Sequence, residues 1–95
     1  MAKRMLQATT ENAILTTFNE IDCSAMNLLR AKYKEPFLDQ HGVKLGFMSL
    51  FTKAVSHALN KLPIVNGSID GDDQIIYHHH HIGIAVSSSN GLVVP

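Results

Sequence analysis

A run of four consecutive histidines, His78-His79-His80-His81, is the part of this 95-residue sequence best suited to metal chemistry. In extended backbone, His78 and His80 would point to one face and His79 and His81 to the other. Each pair offers two imidazole nitrogens to a borderline ion such as Ni²⁺, Cu²⁺ or Zn²⁺. Two nitrogens are too few for a closed zinc site, so neighbouring subunits would have to complete one. The other reading is a solvated, titratable loop that binds metal resin only, and the sequence leaves both readings open. In either case we expect the run to form an exposed connection between the strands Gln74–Tyr77 and Ile82–Ser87, because four adjacent imidazoles are difficult to bury with every ring nitrogen satisfied.

The remaining reactive side chains are scattered along the sequence. Cys23 is the single cysteine, which excludes an internal disulfide and fits a reducing compartment. It is too isolated to join the histidines as a ligand. We expect His41 and His57 to be solvated at a helix end and on a helix face. The serines of Ser87–Ser89 are expected in a turn, since no base is placed to activate them as nucleophiles.

Length and charge narrow the classes of protein. A chain of 95 residues forms a single domain at most, here 1–95, and buries only about 60–65% of its unfolded surface, so its own core is marginal. Eight basic and eight acidic side chains cancel, which argues against a nucleic-acid or anionic-membrane partner. No apolar run reaches the length of a membrane span, and the first residues lack the apolar core of a signal peptide. We expect a soluble, cytoplasmic protein.

The stretch 44–63 is predicted to be the central helix that the other elements pack around. Its apolar residues recur at intervals of three and four, which places them on about half of the helix circumference and suits a helix lying on a sheet. Gly46 marks its start, and Pro63 ends it because proline has no N–H to donate. The apolar residues are Phe47, Leu50, Phe51, Ala54, Val55, Ala58, Leu59 and Leu62.

The first third of the chain predicts a helix or arm, a strand and a second helix. Residues 2–12 form the weakly specified arm, and Ala13–Asp22 is rich in β-branched and aromatic residues, which favours a strand. Asp22 or Ser24 can then accept hydrogen bonds from the free N–H groups of the second helix. His41-Gly42 is expected to end that helix.

The last third predicts strands joined by tight turns. Ile64–Ile69 and Gln74–Tyr77 would form a hairpin around the turn Asp70–Asp73, where Gly and Asp favour tight backbone. Ile82–Ser87 alternates large and small residues as a strand does, and the apolar segment Leu92–Pro95 follows another turn. The predicted fold class is therefore α/β, with a mixed sheet and two main helices packed on it.

Four ordered stretches of the sequence resemble landmarks of one known catalytic domain. They are Thr-Thr-Phe-Asn-Glu-Ile-Asp at 16–22, Lys-Leu-Gly-Phe-Met-Ser at 44–49, Leu-Pro-Ile-Val-Asn at 62–66, and Gly-Leu-Val-Val-Pro at 91–95. These stretches resemble the dihydrolipoamide acyltransferase core of 2-oxoacid dehydrogenase complexes. Their sequences are most similar to the succinyltransferase branch, which serves the 2-oxoglutarate dehydrogenase complex. The resemblance spans nearly all 95 residues but less than half of the family's domain. It implies a partial chloramphenicol-acetyltransferase-like fold.

The same resemblance carries expectations about activity and partners. Family members transfer an acyl group from dihydrolipoamide to coenzyme A, and they form trimers that assemble into cages. Their general base is the histidine of a C-terminal His-x-x-x-Asp-Gly motif, which does not occur in residues 1–95. We therefore expect no catalytic or cofactor-binding residue here, and a non-catalytic, self-assembling homo-oligomer built from trimers. The alternative is half of an active acyltransferase whose C-terminal catalytic part is absent from this chain.

The histidine run is where the sequence departs from the family pattern. The family has a mixed polar and aromatic loop before its Ile-x-Ile-Ala-Val strand, whereas this chain has His78–His81. We interpret this departure as a deliberate replacement or an internal tag. On this interpretation, we expect the chain to be engineered and the loop to bind metal.

Overall fold

Three helices followed by two short hairpins make up the computed structural model, which describes all 95 residues. The helices are α1 (Ala2–Glu11), α2 (Ser24–His41) and α3 (Phe47–Lys61), and a 3-10 turn (Pro63–Val65) follows α3. The strands are β1 (Gly67–Asp70), β2 (Asp73–Ile76), β3 (Val86–Ser88) and β4 (Gly91–Val93). The mixture of helices and strands confirms the α/β class.

Both ends of α2 are built by the residues that the sequence indicated. Asp22 Oδ1 accepts hydrogen bonds from the Ser24 N–H at 2.9 Å and the Ser24 hydroxyl at 2.6 Å. These two bonds favour the carboxylate, so they hold the pKa of Asp22 below its ordinary value of 3.8. At the other end, Gly42 has a φ of 70°, and its N–H donates to the Leu38 carbonyl at 2.8 Å. Glycine adopts this left-handed backbone without strain, which is why the helix ends there.

The bounds of α3 also agree with the prediction. Gly46 is extended, with φ −105° and ψ 162°, and the helix begins at the next residue. The last helical turn closes with a 2.9 Å bond from the Leu62 N–H to the Ala58 carbonyl. Pro63 then opens the 3-10 turn, because a proline ring fits a first helical position but cannot continue the preceding helix.

The predicted strand Ala13–Asp22 is wrong. These residues follow α1 without helix or strand, and the side chains of Leu15 and Phe18 are 96% and 93% exposed. Their composition favours extended backbone, but a strand also requires a hydrogen-bonded neighbour. Each strand of this structure pairs only within its own hairpin, so the segment has none.

The first hairpin forms around the predicted turn, but its first strand begins later in the chain than predicted. β1 and β2 are antiparallel, with Ser68 opposite Ile75 and Asp70 opposite Asp73. Gly71 has a φ of 61° in the turn between them, which suits a residue without a Cβ. The predicted strand Ile64–Ile69 is wrong in its first residues, because Pro63 directs the chain into the 3-10 turn and pairing begins only at Gly67.

The second hairpin replaces the mixed sheet that the sequence predicted. β3 and β4 are antiparallel, with Val86 opposite Val93, and they form a sheet separate from β1 and β2. The predicted strand Ile82–Ser87 is reduced to Val86–Ser88, because β4 offers only three residues to pair with. One further bond, from the Ile84 N–H to the Pro95 carbonyl at 3.1 Å, holds the preceding segment beside the hairpin.

No side chain of this chain is buried. Its solvent-accessible surface is 8827 Å², whereas a compact folded chain of 10.4 kDa exposes about 5,400 Å². The radius of gyration is 17.4 Å, against about 12 Å for a compact domain of this length. The predicted packing of two helices on a sheet is therefore not formed within these residues, and their apolar side chains remain in contact with solvent.

Gly67→Ala is expected to disrupt the first hairpin. A Cβ at this position would lie 2.8 Å from the Ile75 carbonyl oxygen and 3.2 Å from that of Ile64. The Ile75 oxygen belongs to the backbone of the paired strand β2, so moving it would disturb the pairing. We expect a cost of about 1–3 kcal/mol, as for other overpacked sites, and loss of the NMR cross-strand contacts between Ser68 and Ile75. Gly46→Ala, with open space around its Cβ, should keep those contacts; their survival in Gly67→Ala would contradict the prediction.

Candidate functional site

The histidine run lies in the connection between β2 and β3, as predicted. His78, His79 and His81 are exposed, whereas His80 is half-buried. The prediction of a wholly exposed run is therefore wrong at His80 alone. Its different environment follows from a contact with α3, which the sequence did not indicate.

A hydrogen bond joins His80 to α3. The distance between His80 Nδ1 and Ser56 Oγ is 3.0 Å, and the direction of donation depends on the imidazole tautomer. Ser56 belongs to the polar side of α3 and is half-buried there. The loop is thus attached to the polar side of the helix, and one imidazole of the four has its Nδ1 occupied.

His79 and His81 lie close together, although His78 and His79 form a bend and not the extended backbone that the prediction assumed. Their ring centroids are 6.4 Å apart with an interplanar angle of 63°. Both rings line a cavity of about 290 Å³, together with Asn66 and Tyr77. Four side chains with nitrogen or oxygen atoms therefore surround this space, and none of them is a carboxylate.

Asn66 forms hydrogen bonds with the backbone of the segment that carries these histidines. Its side-chain Nδ2 donates to the His79 carbonyl at 3.1 Å and to the Tyr77 carbonyl at 3.4 Å. Its backbone carbonyl accepts a bond from the Tyr77 N–H at 3.0 Å. The Tyr77 hydroxyl is itself hydrogen-bonded to Ser68 Oγ at 2.9 Å. The loop is therefore tied to β1 and its preceding turn as well as to α3.

The structure does not gather three or more His, Cys, Asp or Glu side chains where they could hold one metal ion. His41 lies on the last turn of α2 beside Phe37, with ring centroids 4.6 Å apart, and His57 is exposed on α3. Cys23 is a free, half-buried thiol at the start of α2. The placements of His41 and His57 agree with the expected solvated positions.

Of the three serines expected in a turn only Ser89 lies in one, because Ser87 and Ser88 belong to β3. Ser88 Oγ donates to the Gly91 carbonyl at 2.8 Å and accepts a bond from the Asn90 N–H at 3.3 Å. Both bonds close the turn between β3 and β4. The hydroxyl of Ser88 is thus engaged with backbone.

An uncovered apolar strip runs along α3. The strip consists of four side chains on the apolar half of the helix and at its C-terminal end. They are Phe47, Phe51, Val55 and Leu62, which are 39%, 36%, 47% and 59% exposed, respectively. At the start of α2, Cys23 and Met26 extend this surface through a shallow depression of about 290 Å³ that they share with Phe47 and Phe51. The sequence identified the face correctly but predicted that a sheet would cover it.

Arg30 of α2 makes a long-range contact that sequence reasoning missed. Its Nε donates to the Leu45 carbonyl at 2.9 Å, and its guanidinium lies 5.1 Å from the centroid of the Phe47 ring. A cavity of about 220 Å³ adjoins it, lined also by Lys34, Glu35, Leu38, Lys44 and Leu45. Arg30 and Lys34 are four residues apart, so the sequence indicates that α2 has a basic side. The sequence does not indicate that Arg30 contacts the loop after α2.

No helix of the structure is both long enough and apolar enough to cross a membrane.

The comparisons with known proteins agree with the landmarks in the sequence. The family described as 2-oxoacid dehydrogenases acyltransferase (catalytic domain) matches residues 1–95. The chain belongs to this acyltransferase family.

Relatives from several bacteria carry one description. The chain is 56% identical to a protein of Cupriavidus necator, 55% to one of Bartonella vinsonii subsp. berkhoffii and 50% to one of Bacillus subtilis, in each case over 95 residues. Each is the dihydrolipoyllysine-residue succinyltransferase component of a 2-oxoglutarate dehydrogenase complex. The matches cover 100% of this chain but 23% of each relative, so the chain spans less than a quarter of their length. The similarity to the succinyltransferase branch is thereby confirmed.

Ser56→Ala should loosen the histidine loop, because it removes the hydroxyl that His80 contacts. The expected cost is about 0.5–1.5 kcal/mol, the usual net value of one hydrogen bond. Amide hydrogen exchange at Tyr77 and Ile84, whose N–H groups are hydrogen-bonded on either side of the run, would measure it as faster exchange. Ser49→Ala, an exposed serine of the same helix, should leave these amides unchanged. Equal exchange rates in the two variants would show that the contact does not hold the loop.

Proposed function

We propose that residues 1–95 form a non-catalytic part of a dihydrolipoamide succinyltransferase core. The whole domain would have a chloramphenicol-acetyltransferase-like fold and would transfer a succinyl group from dihydrolipoamide to coenzyme A. The family match over the entire chain, together with the shared description of the relatives, is the observation that supports this assignment. Lipoyl and coenzyme A substrates belong to the proposal for the whole protein.

The side chains of residues 1–95 favour a scaffolding role over a catalytic role. Acyl transfer to a thiol needs a general base and donors for the oxyanion. The His-x-x-x-Asp-Gly motif that supplies the base in this family is not among residues 1–95. Ser88, a hydroxyl near the second hairpin, is bonded to its own turn. One hydroxyl, that of Ser56, lies 3.0 Å from an imidazole, that of His80, but this pair is not the base of the family motif, so the proposed contribution of this segment is surface and shape.

The 95-residue chain alone should not transfer a succinyl group from succinyl-dihydrolipoamide to coenzyme A. A missing base alone removes about 10²–10⁴-fold of rate. Succinyl-coenzyme A would be quantified by chromatography, with the Cupriavidus necator relative as the positive control. Formation clearly faster than in buffer would contradict the proposal.

The uncovered surface supports a proposal of self-assembly. The chain exposes roughly 3,400 Å² more than a compact chain of its mass. Obligate interfaces bury about 2,000–5,000 Å² and are more apolar than ordinary surfaces. The strip of Phe47, Phe51, Val55 and Leu62 has this apolar character, so we propose that copies of the chain cover it in a homo-oligomer. A closed, trimer-based cage is the assembly that the family resemblance favours.

Val55→Asp should dissociate this oligomer. Val55 lies within the strip and is 47% exposed, so the carboxylate stays solvated in a free subunit but would be desolvated in the assembly. Light scattering at micromolar concentration should show a mass several times that of one chain for the unaltered protein and a smaller one for the variant. Ser49→Asp adds the same charge on the polar side and should keep the large mass. A monodisperse monomer of the unaltered chain would rule out self-assembly.

We also propose that the run His78–His81 binds a divalent transition metal ion. Imidazole is a good ligand for nickel, copper and zinc, and three of the four rings are exposed. No metal is required for the proposed acyltransferase role. The binding would therefore be an addition to the scaffold.

A further inference from the structure

We propose that His79 and His81 form a two-point chelate for a divalent transition metal ion, while His80 serves as the attachment of their loop to α3. This inference rests on the proposal that the histidine run binds such an ion. It goes further by assigning different roles to histidines that are adjacent in sequence. The assignment follows from three observations on the loop.

The first observation is the distance between the two rings. The His79 and His81 centroids are 6.4 Å apart on the two sides of one cavity. Two imidazoles on one tetrahedral ion, with metal–nitrogen bonds near 2.0 Å, have bonded nitrogens about 3.3 Å apart and centroids about 5 Å apart. Both side chains are exposed, so side-chain rotations can close the remaining gap of between about 1 and 2 Å without moving the backbone.

The second observation removes His80 from the set of ligands. Its Nδ1 lies 3.0 Å from Ser56 Oγ and its side chain is half-buried against α3. The bond leaves Nε2 free but holds the ring against α3. His80 also does not line the cavity that its two neighbours in the run share.

The third observation is that the backbone of the pair is held in place. Asn66 Nδ2 bonds to the carbonyls of both Tyr77 and His79, and the Tyr77 hydroxyl is engaged by Ser68. A chelate whose ligands are already restricted loses less conformational entropy when it binds. Tyr77 and Asn66 thus support the pair, and water would fill the other coordination positions.

The chemistry of the pair favours copper among the common divalent ions. Two imidazoles and no carboxylate line the cavity. For nitrogen ligands, affinity rises along the first-row series to a maximum at Cu²⁺. Cu²⁺ also accepts an open, tetragonal arrangement with water in the remaining positions, whereas a closed zinc site needs four ligands.

The test is a Cu²⁺ titration of the full 95-residue chain and its single variants, followed by calorimetry and by electron paramagnetic resonance. His79→Ala and His81→Ala should each weaken binding by at least about tenfold, because each turns a two-point contact into a single one. Each should also remove one of the two imidazole nitrogens coupled to the copper signal. His57→Ala removes one exposed imidazole elsewhere and should change neither quantity.

His78→Ala, His80→Ala and Ser56→Ala separate this inference from alternatives. All three should keep the two-nitrogen signal and an affinity within about threefold of the unaltered chain, a difference worth less than about 1 kcal/mol. Ser56→Ala frees the His80 ring without removing it. A tenfold loss in His78→Ala or His80→Ala would overturn the assignment of the pair while leaving metal binding by the run intact. Equal Cu²⁺ affinity of the unaltered chain and a variant with all four histidines replaced by Ser would overturn both proposals.

Discussion

The constraint on which this structure depends is the absence of a core within the 95 residues. No side chain is buried, and 38 of the 47 backbone hydrogen bonds lie inside individual helices and strands. Such local bonds define elements but do little to hold them against one another, since most helical stability in proteins comes from packing an apolar face. The strip on α3 is that face. The proposed self-assembly would supply a cover for this face.

The geometry of the candidate metal site depends on the same helix. The loop is attached to α3 through Ser56 and His80, and to the start of β1 through Asn66. These attachments turn one histidine toward the helix and leave His79 and His81 facing a common space. If α3 is stabilised by its neighbours in an assembly, the pair of rings becomes better ordered as well. The proposed scaffold surface and the proposed metal site would thus be linked through the two sides of one helix.

Sequence reasoning succeeded where the signal is local. Gly42, Gly46 and Pro63 act on their own backbone, so the bounds of α2 and α3 followed from residue type. It failed where a partner distant in sequence decides the outcome: Ala13–Asp22 has strand composition but no neighbouring strand, and the Ser56–His80 bond joins residues 24 positions apart. The family was recognisable because its landmarks are short and ordered. The chloramphenicol-acetyltransferase-like fold, the cage, the metal ion, the engineered origin and the cytoplasmic location stay predictions.

The most direct test of the account is urea unfolding of the 95-residue chain at several protein concentrations, followed by helical circular dichroism. If copies of the chain cover the α3 strip, mass action makes the folded state more stable as concentration rises. The account predicts an unfolding midpoint that increases over a hundredfold range of concentration. A steep, cooperative transition with the same midpoint throughout would contradict it, because a single chain would then supply its own stability.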